Sequence, residues 1–451
     1  MRMPPKKQQG QVLIMVVLSA VVLIGSVGLA IDSALGYLVK AKLNAAVDAA
    51  SLAAARGVTT GDNRTAQEAN ARQAARDFFN INYPDRFLMS TPSLAPVGVH
   101  FDGGTVTVDV AASASLPVSL MGVLGFRTLD VSASAQTVRK DLDMVLVMDT
   151  SGSLNPNREA VKAAGKTFLN KFNSSVDRVG LLHFASGAQV DLPIRKLDRG
   201  FDRDKAAAAI DGYAFAGGTN SAEGMWHARD QLDKIVADKR SSLRVIVFFS
   251  DGSPAAFSSH FYAATSGDCR TAGSIATWTE LPKNSASGAD GLYRIDAASE
   301  KLKPVNRCQA SGVDTLPDWY DPHDEESKAP QEFRIVTNGP RAVSKELTPP
   351  QRGWTNIHRA SRNLVEAMAA KARQDDVFVF TLGMGASLTK PEGPDSEKGE
   401  DLLRCLANTL DAKASCRKPA EPAGLYCYAA TESDLSPCFT RLASAILRIS
   451  K

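Results

Sequence analysis

The chain has 451 residues, 44% of them hydrophobic and 22% charged, and its 52 Lys and Arg against 49 Asp and Glu give a formal charge of +3. This is ordinary globular composition, long enough for two or three domains with sizeable cores. So balanced a charge, with no basic stripe interleaved with aromatics, speaks against nucleic acid as a partner. In chain order, Arg2, Lys6 and Lys7 come first, followed by an uncharged apolar run from Val12 to Ile31. That run is about as long as a bilayer core requires of a helix. Basic residues in front and a large remainder behind predict a single-pass anchor with a cytoplasmic N-terminus and an exported body. A cleaved signal peptide is the alternative, since Gly28 and Ala30 are small enough to precede a cleavage site. Against it, helical composition continues through Leu35, Leu38, Val39, Leu43, Val47 and Leu52 until Gly57 offers a stop. Gly10 before an apolar run also fits prepilin processing, but Met15 stands near the place where an acidic residue is usual, so no cleavage is expected there.

Residues 32 to 56 are rich in Ala, with Asn44 and Asp48 among small residues, a pattern that suits close helix packing or a plain amphipathic stalk. A second helix is predicted from Thr65 to Phe79, ending near Tyr83 and Pro84. Alternation over Val97 to Ala112 and Thr128 to Val138 predicts strands. The expected organisation is a tail, membrane helix (about 12–31) and helical extension over 1–57, a small α+β linker module over 58–140, and a main domain over 141–451.

From Leu142 strands and helices alternate. Strands are predicted at Met144 to Met148, Val179 to Phe184, Ala188 to Leu192, Val245 to Phe249 and Val377 to Leu382, with an apolar stretch near Tyr426. Helices are predicted at Arg158 to Phe172, Ser221 to Ala237, Asn356 to Arg373 and Asp434 to Arg448. Near-continuous apolar strands between amphipathic helices imply an α/β fold, a doubly wound and mostly parallel sheet covered on both faces. Such sheets bind ligands at the carboxyl ends of their strands. An insertion rich in Gly, Ser, Pro and charge interrupts this order at about 254–350. A structureless loop of that length is improbable in a compact domain, so a partly ordered lid is expected. Its acidic residues Asp318, Asp321, Asp324, Glu325 and Glu326 lack EF-hand spacing and read as a solvated turn rather than a calcium loop.

All six cysteines lie in the C-terminal half, which fits disulfides in an oxidising compartment. Sequence alone allows fifteen connectivities. Local spacing suggests Cys269 with Cys308, Cys405 with Cys416 and Cys427 with Cys438. No CxxC or Cys/His spacing points to zinc.

Asp149-Thr150-Ser151-Gly152-Ser153 directly follows the first apolar strand, offering one carboxylate and two hydroxyls on alternate residues. Asp251 follows another strand in Phe248-Phe249-Ser250-Asp251-Gly252, and Gly217-Gly218-Thr219-Asn220 offers a hydroxyl from a turn before a helix. A hard dication takes oxygen ligands and keeps some waters, so three strand-end segments converge on one expected ion. Alone, Asp-x-Ser-x-Ser is a common capping and turn sequence. In this order and position the three segments resemble the metal-ion-dependent adhesion site of von Willebrand factor A domains, a Rossmann-like fold. The resemblance implies a divalent ion, Mg2+ first with Mn2+ or Ca2+ as alternatives. It implies that Ser151 and Ser153 bind directly, Thr219 and Asp251 directly or through water, and Asp149 mainly through water.

Gly10 to Gly57, with Gly28-Leu29-Ala30-Ile31-Asp32 and Asn44-Ala45-Ala46-Val47-Asp48-Ala49-Ala50, resembles the TadE/TadG-like pilus-assembly segment. Paired with an A domain it is similar to the TadG proteins of tight-adherence (Flp) pilus systems. That resemblance implies a bacterial inner-membrane protein with a periplasmic C-terminal domain, an outer-membrane or surface location being the alternative. Its expected partners are pilus-assembly proteins and a protein that offers an Asp or Glu carboxylate to the metal.

Other chemistry has little support: there is no HExxH, GxSxG or CxxC. Gly165-Lys166-Thr167 lacks the first P-loop glycine and reads as mid-helix, Gly383-Met384-Gly385 reads as a turn, and His183 as packing. A non-enzymatic adhesion protein is therefore expected. The alternatives are an envelope scaffold whose metal serves stability alone, and a hydrolase with metal-activated water.

Overall fold

The computed structural model describes residues 9–58, 64–102, 105–263, 269–281, 287–298, 313–323 and 331–449. The chain divides into two compact units, Met1–Arg139 and Lys140–Lys451.

In the first unit, α1 (Gln9–Gly57) is one unbroken helix of 49 residues. Its leading half exposes Val, Leu and Ile side chains from Val12 to Ile31 and is long and apolar enough to cross a membrane. Its trailing half buries Val39, Leu43, Ala46, Val47, Ala50 and Ala54, the three-and-four spacing of one helix face. That face packs on α2 (Arg64–Asn82), which contributes Ala71, Ala75 and Phe79, and on the sheet residues Val106, Val108 and Val110. The Ala-rich stretch is thus packed inside its own unit rather than a bare stalk. The sheet comprises β1 (Thr91–Leu94), β2 (Gly98–Asp102), β3 (Thr105–Pro117) and β4 (Thr128–Lys140), with the long β3 pairing all three others. The stretch read as one strand over Val97 to Ala112 is an antiparallel pair, Asp102 facing Thr105. Alternation alone overlooked the turn signal of Gly103-Gly104 in the sequence. Asp32, buried on α1, accepts hydrogen bonds from the backbone N–H groups of Ser119 (3.0 Å), Leu120 (3.1 Å) and Met121 (2.8 Å). One turn earlier a Cβ on Gly28 would lie 2.5 Å from Leu120 Cβ, so only glycine admits that approach.

The second unit opens with β5 (Leu142–Asp149), α3 (Arg158–Leu169), β6 (Arg178–Phe184), β7 (Ala188–Leu192), α4 (Arg203–Asp211), α5 (Ser221–Asp233) and β8 (Leu243–Ser250). The insertion supplies β9 (Ala256–Ala263), β10 (Cys269–Ala276) and β11 (Asp290–Tyr293). Then come α6 (Pro350–Gln374), β12 (Val377–Met384), the two-residue strands β13 (Pro391–Glu392) and β14 (Glu397–Lys398), α7 (Gly399–Ala407), β15 (Tyr426–Ala429) and α8 (Glu432–Ile449). The main sheet runs β15-β12-β8-β5-β6-β7, parallel except for β7. Every residue of β5, β6 and β8 is buried, which is why these strands read as apolar runs without alternation. One face is covered by α5, α6 and α7, the other by α3, α4 and α8. The sequence leaves β5 first toward β6 and later returns to β8 on its other side. The order reversal therefore falls between β5 and β8, where doubly wound sheets open a crevice at their carboxyl ends.

The insertion is more than a lid. Its strands form an antiparallel β11-β10-β9 sheet, and Phe257, Phe261, Ile275, Leu292, Val313, Leu316 and Tyr320 join the core of α5 and α6. Of its acidic residues, Asp318 pairs with Lys345 Nζ at 2.6 Å, and Asp321 accepts from Ser259 Oγ (2.8 Å) and His260 N (3.1 Å). Asp324, Glu325 and Glu326 lie outside the described residues. So does the expected Cys269–Cys308 bridge, while Cys405–Cys416 and Cys427–Cys438 are formed. Two short helices, α4 and α7, were not anticipated. α6 begins six residues before the predicted start because Pro349-Pro350, read as the end of the insertion, opens its first turn instead.

Candidate metal centre

Asp149 is the last residue of β5 and Asp251 the first after β8, so the two carboxylates flank the crevice at the order reversal. Backbone hydrogen bonds tie together the loops that carry the remaining candidates. Gly152 N donates to Gly217 O (3.1 Å), Ala216 N to Thr150 O (3.0 Å) and Ala255 N to Thr219 O (3.1 Å). Asn220 caps α5, accepting from Glu223 N, while its Nδ2 donates to Ser186 O, Ser258 Oγ and Ser274 Oγ. The loop bearing Thr219 is therefore moored to both the main sheet and the insertion.

Three oxygens stand face to face. Ser153 Oγ donates to Asp251 Oδ1 at 3.0 Å, Ser151 Oγ lies 3.5 Å from the same oxygen, and the two hydroxyls are 3.2 Å apart. One face of an oxygen octahedron has edges of about 3.0 Å around Mg2+ and about 3.4 Å around Ca2+, from their bond lengths. The triangle fits either. Asp149 has both oxygens engaged, Oδ1 by Ser151 N at 2.8 Å and Oδ2 by Ser250 Oγ at 2.6 Å, which suits a role through water. Thr219, with Ser153 and Asp251, lines a cavity of about 480 Å³. The insertion also lines it, through Thr277, Trp278, Asp290 and Tyr293, as do Ser387 and Glu392. The insertion thus walls the crevice without filling it.

Electrostatics favours a cation here. Burial pushes the Asp149 carboxyl above the usual carboxylate range, and burial together with the neighbouring Asp149 charge pushes Asp251 higher still. Two carboxylates crowded in a dry pocket repel each other, and a dication relieves that repulsion. All five candidates gather at this one crevice. Sequence reading overlooked Ser250, which orients Asp149, and Ser387, whose Oγ donates to Asp251 O at 3.0 Å. Ser250 adjoins Asp251 in sequence and was within reach of inspection; Ser387 lies 136 residues away and carried no signal. His183 is a packing residue: it is buried, its Nδ1 lies 2.8 Å from Asp191 Oδ2, and its ring stacks on Tyr213. Gly165-Lys166-Thr167 lies inside α3, and Gly385 occupies a positive-φ turn after β12.

Residues 144–253 match the model of the von Willebrand factor type A domain, and residues 10–57 match that of the putative Flp pilus-assembly TadE/G-like family. No curated protein matches the chain. Among solved structures, the SpaC pilus adhesin of Lactobacillus rhamnosus GG in its open conformation is 14% identical. That match covers 79% of this chain and 34% of the adhesin, with a TM-score of 0.39. The vWF domain of the type V pili tip protein Mfa5 of Porphyromonas gingivalis is 16% identical over 70% of this chain and 98% of that one, with a TM-score of 0.38. The von Willebrand factor type A protein of Catenulispora acidiphila is 12% identical over 79% and 50%, with a TM-score of 0.34. The matched chain segments and the strand order agree on an A-type domain preceded by a TadE/G-like helix.

Proposed function

We propose that this chain, a TadE/G-like segment followed by a von Willebrand factor A domain, is a non-enzymatic envelope protein that recognises a protein partner through a bound cation. In this reading it serves Flp pilus assembly or adhesion. Residues 12 to 31 anchor it in the bacterial inner membrane, with the A domain on the periplasmic side. The observation that carries the reading is the oxygen triangle of Ser151, Ser153 and Asp251, of which Ser153 and Asp251 line an open cavity. Ser151, Ser153 and Asp251 would hold Mg2+ directly, Thr219 directly or through water, and Asp149 through water. When bound, the ion supplies a Lewis-acidic position for a carboxylate from outside. The chain's own groups set the terms of that encounter. Ser250 and the Ser151 amide fix Asp149, while Asp290 and Glu392 on the cavity wall repel an incoming Asp or Glu unless the charge behind them is neutralised. Recognition on these terms is strongly metal-dependent.

The test is capture of partners from solubilised envelope by the full chain in detergent, in Mg2+ or chelator, with wild type and Asp251→Ala. Capture of a pilus or envelope protein by wild type in Mg2+, lost in chelator and in the variant, is expected. Equal capture in all conditions would replace metal-bridged recognition with a metal that serves stability alone.

A further inference from the structure

A second cluster of ligand-type side chains lies on α5 and the insertion, outside the residues that line the Asp149–Asp251 crevice. Glu223 and His227 are one helical turn apart, so both point to the same side. His323 joins them from the insertion segment 313–323, and one potential ligand atom of each residue lies within 4.8 Å of the other two. Glu223 Oε1 is 2.6 Å from His323 Nε2 and 3.4 Å from His227 Nε2. Despite this closeness, among the described residues neither Glu223 Oε1 nor His227 Nδ1, both buried, has a partner in hydrogen-bonding geometry. A buried carboxylate oxygen in that state, set between two imidazole nitrogens, marks the place of an ion or water.

Glu223 is fully buried, whereas His227 and His323 keep 18% and 14% of their side-chain surface, so a fourth position remains open to water. The surroundings hold the three groups in place. Tyr320 Oη donates to the other carboxylate oxygen, Oε2, at 2.8 Å, and the Trp226 ring stacks on His323 with centroids 3.7 Å apart. Such outer partners fix ligand orientation in metal sites. Two imidazoles, one carboxylate and a water make a four-coordinate set typical of Zn2+, whose ligand atoms stand about 3.3 Å apart on a tetrahedral edge. The 3.4 Å separation matches that edge, and the 2.6 Å one opens by less than about 1 Å, which a side-chain adjustment supplies.

We propose that Glu223, His227 and His323 form a second metal site, for Zn2+ or a similar transition dication, that latches the insertion onto α5. It differs from the first site in ligand class, nitrogen-rich rather than all-oxygen, and does not rest on the adhesion reading. Because the loop just before α5 carries Thr219, the latch also steadies that loop.

The experiment uses the full chain in detergent, stripped with chelator and then titrated with Zn2+ by calorimetry and with Co2+ by visible absorption. Asp251→Ala serves as the control at the other site. One equivalent of Zn2+ is expected in wild type and in Asp251→Ala, with the intense visible bands of tetrahedral Co2+ in both. His323→Gln, a change in the insertion that leaves the buried Glu223 in place, should weaken Zn2+ by at least about a hundredfold and abolish those bands, with circular dichroism unchanged. His227→Gln provides a second arm should His323→Gln misfold. Absence of the tetrahedral bands in wild type, or equal Zn2+ affinity in wild type and the folded His variants, would overturn the site and leave an ion-paired Glu–His cluster.

Discussion

At the residue scale, the crevice makes a claim about pH. Asp149 and Asp251 titrate as a pair, raised to about 6 and about 8 by burial and, for Asp251, by its neighbour. Both folded values exceed the unfolded value near 4, so the folded, metal-free chain holds protons more tightly than the unfolded one. The stability this contributes is fully present below about pH 4 and is lost as pH rises toward 8, every tenfold difference in proton affinity being worth about 1.4 kcal/mol. Wild type without metal should therefore lose stability relative to Asp251→Asn between pH 5 and 8, and the gain from added Mg2+ should grow over the same window. Thermal melts at several pH values, with and without Mg2+, measure both. A stability difference from Asp251→Asn that stays flat, with a Mg2+ gain equal at pH 5 and 8, would remove the raised carboxylate pair. The crevice was legible because Asp149, Ser151 and Ser153 sit in one pentapeptide at a strand end, and each remaining candidate also follows or precedes a readable element. The Glu223, His227 and His323 cluster was not, since its third member lies in an insertion whose fold no periodicity announced.

At the element scale, legibility follows whether the signal is local. α1 could be read from an uninterrupted composition closed by Gly57, and β5, β6 and β8 from apolar runs. The insertion sheet escaped because Gly273, Ser274 and Ser258, small and polar, occupy interior positions that pattern reading assigns to loops. In the structure Ser258 and Ser274 are buried partners of Asn220. The TadE/G-like segment yields a prediction at this scale. Asp32 accepts from three consecutive backbone amides, and a hydrogen bond to an ionised carboxylate is stronger than one to a neutral acceptor. Asp32→Ala should destabilise the first unit, and Asp32→Asn by less because its single carbonyl oxygen still accepts. Gly28→Leu, forced against Leu120, should act in the same direction. Hydrogen exchange at the amides of Ser119 to Met121 reads the effect directly. Unchanged protection in Asp32→Ala would mean that the carboxylate is dispensable to this turn.

At the scale of the whole molecule, the stabilising chemistry is distributed unevenly. The first unit is held by α1, α2 and a four-stranded sheet around one apolar cluster, and the sequence places no cysteine in it. The second unit carries the carboxylate crevice and both described disulfides, each closing a separation of 11 residues. Cys405–Cys416 clips the loop after α7, and Cys427–Cys438 joins β15 to α8, whose Phe439, Leu442 and Ile446 cover one face of the main sheet. A closed loop of that size is worth about 3 kcal/mol through the entropy it removes from the unfolded chain. Two of them in a unit of this size correspond to a fall of roughly 10 °C in Tm. A chain with two separate cores need not melt in one step. Calorimetry of the full chain in detergent should therefore show reductant and chelator lowering a transition that belongs to residues 140–451, with the remaining transition unmoved. Cys427→Ser with Cys438→Ser should reproduce about half the effect of reduction. If reduction shifts every transition equally, the stability of the first unit depends on the A domain, and metal or redox state at the far end of the chain would then reach the segment that holds the TadE/G-like helix.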